Sequence, residues 1–123
     1  MQGTARRSPR VLVVEDQMTV AVYIATLLED IGCAPVGPVG HVTTALPLAL
    51  TEPLDAALLD IDLAGDSVEP IADVLERRNI PYAVVTAYRR DRVPARLQGR
   101  PYLCKPFMDR EIASLVSNLI GDF

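Results

Sequence analysis

Four short stretches of this chain end in side chains that carry charge or a reactive hydroxyl. Val11–Val14 runs into Glu15 and Asp16, Leu54–Leu59 into Asp60 with Asp62 two residues on, Pro81–Val85 into Thr86, and Pro101–Cys104 into Lys105. Carboxylates gathered from separate strand ends need a positive partner. Two of them about 5 Å apart repel by roughly 3 kcal/mol at an effective dielectric near 20. A divalent cation held by oxygens neutralises such a cluster, and Mg²⁺ suits a few carboxylates, retained waters and a phosphoryl group. Taken singly, each acid reads as a solvated rim residue; taken together they read as a site. Asp60 is the candidate nucleophile, because the apolar run Ala56–Leu59 fixes its position and a carboxylate attacking phosphorus gives an acyl phosphate. Lys105 is the only lysine among twelve Lys and Arg residues. It supplies a compact charge with three donors for a phosphoryl oxygen, and the Thr86 hydroxyl donates to another. The plain alternative for Lys105 is a surface amine on a buried stem.

Positioning these groups requires strands and helices in alternation. Val11–Val14 is a β-branched run; Met18, Ala21, Val22, Ala25 and Leu28 then share one helical face, which Gly32 ends. Cys33–Val36 reads as a second strand broken by Gly37-Pro38, and residues 41–51 as a helix in which Pro47 is tolerable only near the first turn. Leu54–Asp60 does not alternate, which marks a strand buried on both faces. Val68, Ile71, Ala72 and Leu75 give a helix with Pro70 near its start. Pro81–Thr86 and Pro101–Cys104 are the fourth and fifth strands. Ile112, Leu115, Val116 and Leu119 close the chain as a helix with Asp109 as its expected N-cap. Between strands four and five, Tyr88–Arg100 holds six charged residues, Pro94 and Gly99, so the fourth helix is expected to be short or irregular. Five alternations imply an α/β fold, a doubly wound five-stranded parallel sheet of order 2-1-3-4-5, with ligands at the carboxyl ends of its strands.

Composition bounds the rest. The 123 residues, 50% hydrophobic and 23% charged, suit one globular domain and argue against disorder. Continuous apolar runs are far shorter than the roughly twenty residues of a membrane span, and the first residues lack a secretory signal. A cytoplasmic protein is expected, with residues 1–9 a disordered leader. Cys33 and Cys104 have no metal-ligand spacing and read as two small buried hydrophobes. The net charge of −4 excludes a uniformly basic nucleic-acid binder. Residues 86–110 carry seven basic side chains against two acidic ones, a local balance of +5 that leaves −9 elsewhere. That stretch is either a docking face for an acidic partner or a solvated loop.

The sequence resembles a response regulator receiver domain of two-component signalling over residues 10 to about 120. The matching stretches are Val11–Asp16, Leu58-Leu59-Asp60-Ile61-Asp62-Leu63, Val84-Val85-Thr86-Ala87 and Lys105-Pro106-Phe107. The resemblance implies the flavodoxin-like version of the fold, with the domain at 10–121. It implies Mg²⁺ held by Glu15, Asp16, Asp60 and the backbone carbonyl of Asp62, and a phosphate accepted at Asp60 from a histidine kinase or histidine phosphotransfer protein. Thr86 and Lys105 would contact the phosphoryl group, and the peptide before Pro106 is often cis. Thr86 and Tyr102, three residues before Lys105, would form the switch that alters the face of strand four, strand five and the last helix. Tyr88 and Asp62 would stand at positions that tune dephosphorylation. The chain would catalyse only its own phosphorylation and dephosphorylation, without direct nucleic-acid or membrane contact; its output partner and any homodimer stay open. Val-Val-Thr-Ala-Tyr is similar to the Phe-Ala-Thr-Gly motif of an atypical stand-alone receiver subgroup, and Thr86 to Lys105 spans slightly less than usual. Two rivals stand beside this reading. One is a receiver-fold interaction module that does not use phosphate. The other is an aspartyl phosphatase of the haloacid dehalogenase type, whose Asp-x-Asp motif would belong on the first strand.

Overall fold

The computed structural model describes residues 7–121, so residues 1–6 of the expected leader lie outside it. The elements run β1 (Arg10–Val14), α1 (Met18–Asp30), β2 (Ala34–Val39), α2 (Val42–Thr51), β3 (Ala56–Leu59), β4 (Asp62–Leu63), β5 (Asp66–Ser67), α3 (Glu69–Arg77), β6 (Tyr82–Thr86), β7 (Tyr102–Cys104) and α4 (Asp109–Ile120). Five strands form one parallel sheet in the order β2-β1-β3-β6-β7, which is the expected doubly wound arrangement. The two short strands β4 and β5 make a separate antiparallel hairpin.

Period-two alternation divides the core between the two faces of the sheet. Leu12, Val14, Ala57, Leu59, Tyr82 and Val84 pack with α2 and α3. Val11, Val13, Ala56, Leu58, Ala83 and Val85 pack with α1 and α4. Both faces of β1, β3 and β6 are therefore dry, which accounts for their continuous apolar runs. No helix among the described residues is long and apolar enough to cross a membrane.

Between β6 and β7 the chain makes two 3₁₀ turns, Arg90–Arg92 and Ala95–Leu97, where a fourth helix would otherwise stand. Val93 and Leu97 plug the core, and Pro94 contributes no amide. The basic residues here are largely engaged within the fold. Arg96 pairs with Asp73 and, at 3.0 Å, with Glu76. Arg100 reaches Glu76 at 3.1 Å and covers the Tyr82 ring at 4.5 Å. Arg90 lies 4.7 Å over the Tyr102 ring. The buried Tyr82 phenol donates to Glu76 at 2.5 Å. Burial and that carboxylate push its pKa up to about 12, and the bond holds Glu76 below its ordinary value.

Five local expectations are corrected. The buried face of α1 is Ala21, Ile24, Leu27 and Leu28, whereas Met18 and Val22 are exposed. β2 continues through Gly37-Pro38, because an edge strand can hold a proline without losing a ladder bond; Gly37 takes φ +90° there. Pro47 sits in the middle of α2, not in its first turn. It is exposed, as is Thr43, and having no N–H it cannot donate to the Thr43 carbonyl one turn back. The N-cap of α4 is Met108, with Asp109 one residue inside; Glu111 accepts the Met108 N–H at 2.7 Å. Cys33 is buried but Cys104 is exposed, since β7 is an edge strand.

Candidate functional site

Strand register alone brings most of the expected groups together. Val14 pairs with Leu59, so Glu15 and Asp60 emerge side by side from adjacent strands. Leu59 pairs with Val84, and Thr86 with Cys104, immediately before Lys105. Backbone bonds carry the ladder one step beyond the strands: Asp60 N–H to the Val14 carbonyl at 2.9 Å and Lys105 N–H to the Thr86 carbonyl at 2.8 Å. The chain order reverses between β1 and β3, and a cleft opens at that switch point. It has a volume of about 220 Å³ and is lined by Asp16, Asp60, Asp62, Thr86, Tyr88 and Lys105, among others.

Glu15, Asp60 and Thr86 are buried polar residues, whereas Asp16 is exposed. The Lys105 amine pairs with Glu15 and lies 3.1 Å from Asp60 Oδ2. Burial is the largest influence on Glu15 and raises its carboxyl above the ordinary value. The Lys105 hydrogen bond and the Gln17 N–H oppose that rise, and the Asp60 charge adds to it. For Lys105, burial acts to lower the pKa, but the Glu15 bond and the Asp60 charge more than offset it and leave the amine above its ordinary value. One lysine thus balances two buried acids, with Asp16 beside them.

Glu15, Asp16 and Asp60 each offer a carboxylate oxygen, and these oxygens lie within 4.8 Å of one another. Three hard oxygen donors carrying more negative charge than one lysine cancels fit a divalent cation such as Mg²⁺. Thr86 Oγ1 accepts the Tyr88 N–H at 3.1 Å. Tyr102 is half-buried, and its phenol donates to the Tyr88 carbonyl. The peptides Lys105-Pro106 and Gly37-Pro38 are both cis.

Two features were not visible in the residue pattern. The Asp62 carboxylate accepts the Tyr88 phenol at 2.9 Å and the Gly65 N–H at 3.1 Å; the first of these bonds raises the Tyr88 pKa. Asp16 Oδ2 accepts the Ala64 N–H at 3.0 Å. Gly65 between Ala64 and Asp66 was the one available turn signal.

Comparison with known proteins places this geometry. No protein-family model matches the chain. The structure is similar to SdrG from Sphingomonas melonis Fr1, with 34% identity, 94% of this chain and 98% of that one covered, and a TM-score of 0.83. It shares its fold with the receiver domain of the sensor histidine kinase PA1611 from Pseudomonas aeruginosa PAO1, at 24% identity, 94% and 100% coverage and a TM-score of 0.81. That protein has a magnesium ion coordinated in its active-site cleft. Among curated sequences, the sensor histidine kinase GacS of Pseudomonas protegens is 34% identical over 125 residues. The match covers 94% of this chain but only 14% of GacS, so the chain spans about one seventh of that relative's length.

Proposed function

The chain belongs to the response regulator receiver-domain family of two-component signalling, and on that premise we propose that it is a phosphoacceptor with Asp60 as the acceptor. The observation that carries the reading is the Lys105 amine between Asp60 and buried Glu15, in a cleft that Asp16 and Thr86 share. The donor is the phosphohistidine of a histidine kinase or phosphotransfer protein. An Asp60 oxygen attacks phosphorus, the N–P bond breaks, and its electron pair leaves with the imidazole. The product is an acyl phosphate on Asp60.

Glu15, Asp16 and Asp60 would hold Mg²⁺, with the Asp62 backbone carbonyl as a further ligand. The ion, when bound, supplies charge neutralisation for the transferred group. Lys105 faces the same oxygens and holds a phosphoryl oxygen after transfer. The Thr86 hydroxyl donates to another. Tyr102 then reports the change, because its phenol rests on the Tyr88 carbonyl and Tyr88 N–H rests on the Thr86 hydroxyl. A movement of Thr86 toward the phosphoryl group draws on that chain of contacts and alters the face made by β6, β7 and α4.

The test is incubation with acetyl phosphate and Mg²⁺, followed by intact mass measurement. The protein gains one phosphoryl group, and Asp60→Asn gains none. Absence of any gain identifies an interaction module that does not use phosphate. Continuous phosphate release from many esters identifies a phosphatase.

A further inference from the structure

The hairpin β4–β5 lies directly after the acceptor strand and reaches back to the acid cluster. Its strands pair Asp62 with Ser67 and Leu63 with Asp66, which leaves Ala64 and Gly65 as a two-residue turn. Both have positive φ, +53° and +89°, as a type I′ turn requires. Alanine is a poor residue for that conformation, and backbone held in sparsely populated regions is an observation from which a functional role can be argued. The strained residue is the one whose N–H donates to Asp16 Oδ2, across 48 positions of sequence. The hairpin is anchored rather than loose: Leu63 and Val68 are buried, and the Tyr88 phenol and the Gly65 N–H both bind the Asp62 carboxylate.

Asp16 differs from the other two acids of the cluster. Glu15 and Asp60 are buried and held by Lys105, whereas Asp16 is exposed. We propose that the β4–β5 hairpin is a positioning device for Asp16. The Ala64 amide takes one carboxylate oxygen and so aims the other at the cation position between Glu15 and Asp60. The inference rests on the reading of the cluster as a Mg²⁺ site. Hydrogen-bond partners that orient a metal ligand commonly change metal affinity by 10–100-fold when lost.

The test is calorimetric Mg²⁺ titration of the unphosphorylated protein. Gly65→Val places a β-branched residue at φ +89° and so strains the turn, while no atom beyond its chain neighbours lies within 4 Å of the added Cβ. It is expected to weaken Mg²⁺ binding about tenfold. Gly121→Val imposes the same kind of strain at φ +79°, beyond the far end of α4, and is expected to keep the wild-type affinity. Equal affinity in Gly65→Val and wild type overturns the proposal. A second readout leaves the hairpin sequence unaltered. The Ala64 amide proton resonance is expected to shift on Mg²⁺ saturation, and to move upfield in Asp16→Asn. A resonance that responds to neither overturns the proposal as well. Failure of the wild type to bind Mg²⁺ at all overturns the underlying reading of the site instead.

Discussion

Replacing Lys105 by Met tests whether this amine is what lets two buried acids stand together. Methionine keeps an apolar stem of similar length and removes the charge. In the native protein Lys105 Nζ is 3.1 Å from Asp60 Oδ2 and also pairs with Glu15, and the three side chains are 11%, 10% and 2% exposed. At an effective dielectric near 20 the Asp60 contact alone is a gross attraction of about 5 kcal/mol. The cost of burying the amine offsets part of it, and losing one member of a buried pair typically costs about 3–5 kcal/mol. Lys105→Met in chelator at pH 8 is therefore expected to lose about 3 kcal/mol of unfolding free energy. The loss depends on pH in a definite direction. Glu15 already has a raised pKa in the folded protein, and the variant raises it further. A group whose folded pKa is raised is stabilising below its unfolded value, and that stabilisation disappears as pH rises through the folded value. The deficit against wild type should thus shrink toward pH 5 and grow toward pH 8. Mg²⁺ at a hundred times the variant's dissociation constant should raise the variant's own unfolding free energy by about 2.7 kcal/mol over its value in chelator. Urea unfolding at both pH values, with and without Mg²⁺, measures all of this. A deficit under 1 kcal/mol, one that acid does not reduce, or a variant that Mg²⁺ does not stabilise over chelator would refute the reasoning.

Three further outcomes are expected. Pro47→Ala should stabilise the protein by about 1–3 kcal/mol, because an exposed mid-helix proline gives way to a residue that can donate to the Thr43 carbonyl; the urea midpoint checks it. Gly37→Ala should destabilise by more than about 1 kcal/mol: its φ is +90° and an added Cβ would stand 2.9 Å from Val39 N and 3.1 Å from the Val13 carbonyl. Tyr82, held at about pKa 12 against an ordinary 10.0, should make the wild type lose about 2 kcal/mol more than Tyr82→Phe as pH rises from 10 to 12; the difference between the two proteins in alkaline urea titrations isolates that contribution.

The central strands and the acids at their ends were legible because both depend on burial. β1, β3 and β6 are covered on two faces, so their runs are continuously apolar, and Glu15, Asp60 and Thr86 follow directly where the apolar run ends. Lys105 stood out as the single lysine. That the segment between β6 and β7 would hold only short or irregular helix was readable from Pro94, Gly99 and the scarcity of apolar residues; it forms two 3₁₀ turns. What stayed hidden depends on position in the sheet or on local conformation. Gly37-Pro38 interrupts an interior strand but not an edge strand, and the edge is known only from the assembled order. The exposure of Cys104 follows from the same fact. Asp109 has the usual chemistry of a cap, yet Met108 takes the place because Glu111 reaches back to its amide. The β4–β5 hairpin consists of two-residue strands rich in polar groups, too short for any periodicity to mark. Its contact with Asp16 joins residues 48 positions apart. The basic stretch was open between docking and solvation; Arg90, Arg96 and Arg100 turn out to bind Tyr102, Tyr82, Asp73 and Glu76 within the fold.

A crystal structure of the protein with Mg²⁺ and beryllofluoride, which mimics a phosphoryl group on a carboxylate, tests the central claim most directly. The account predicts beryllium on an Asp60 oxygen, Mg²⁺ on Glu15, Asp16 and Asp60, and the Lys105 amine and Thr86 hydroxyl on separate fluorides. Beryllofluoride absent from Asp60 at saturating Mg²⁺, or Lys105 still bound only to Glu15 and Asp60 with no fluoride contact, would contradict it.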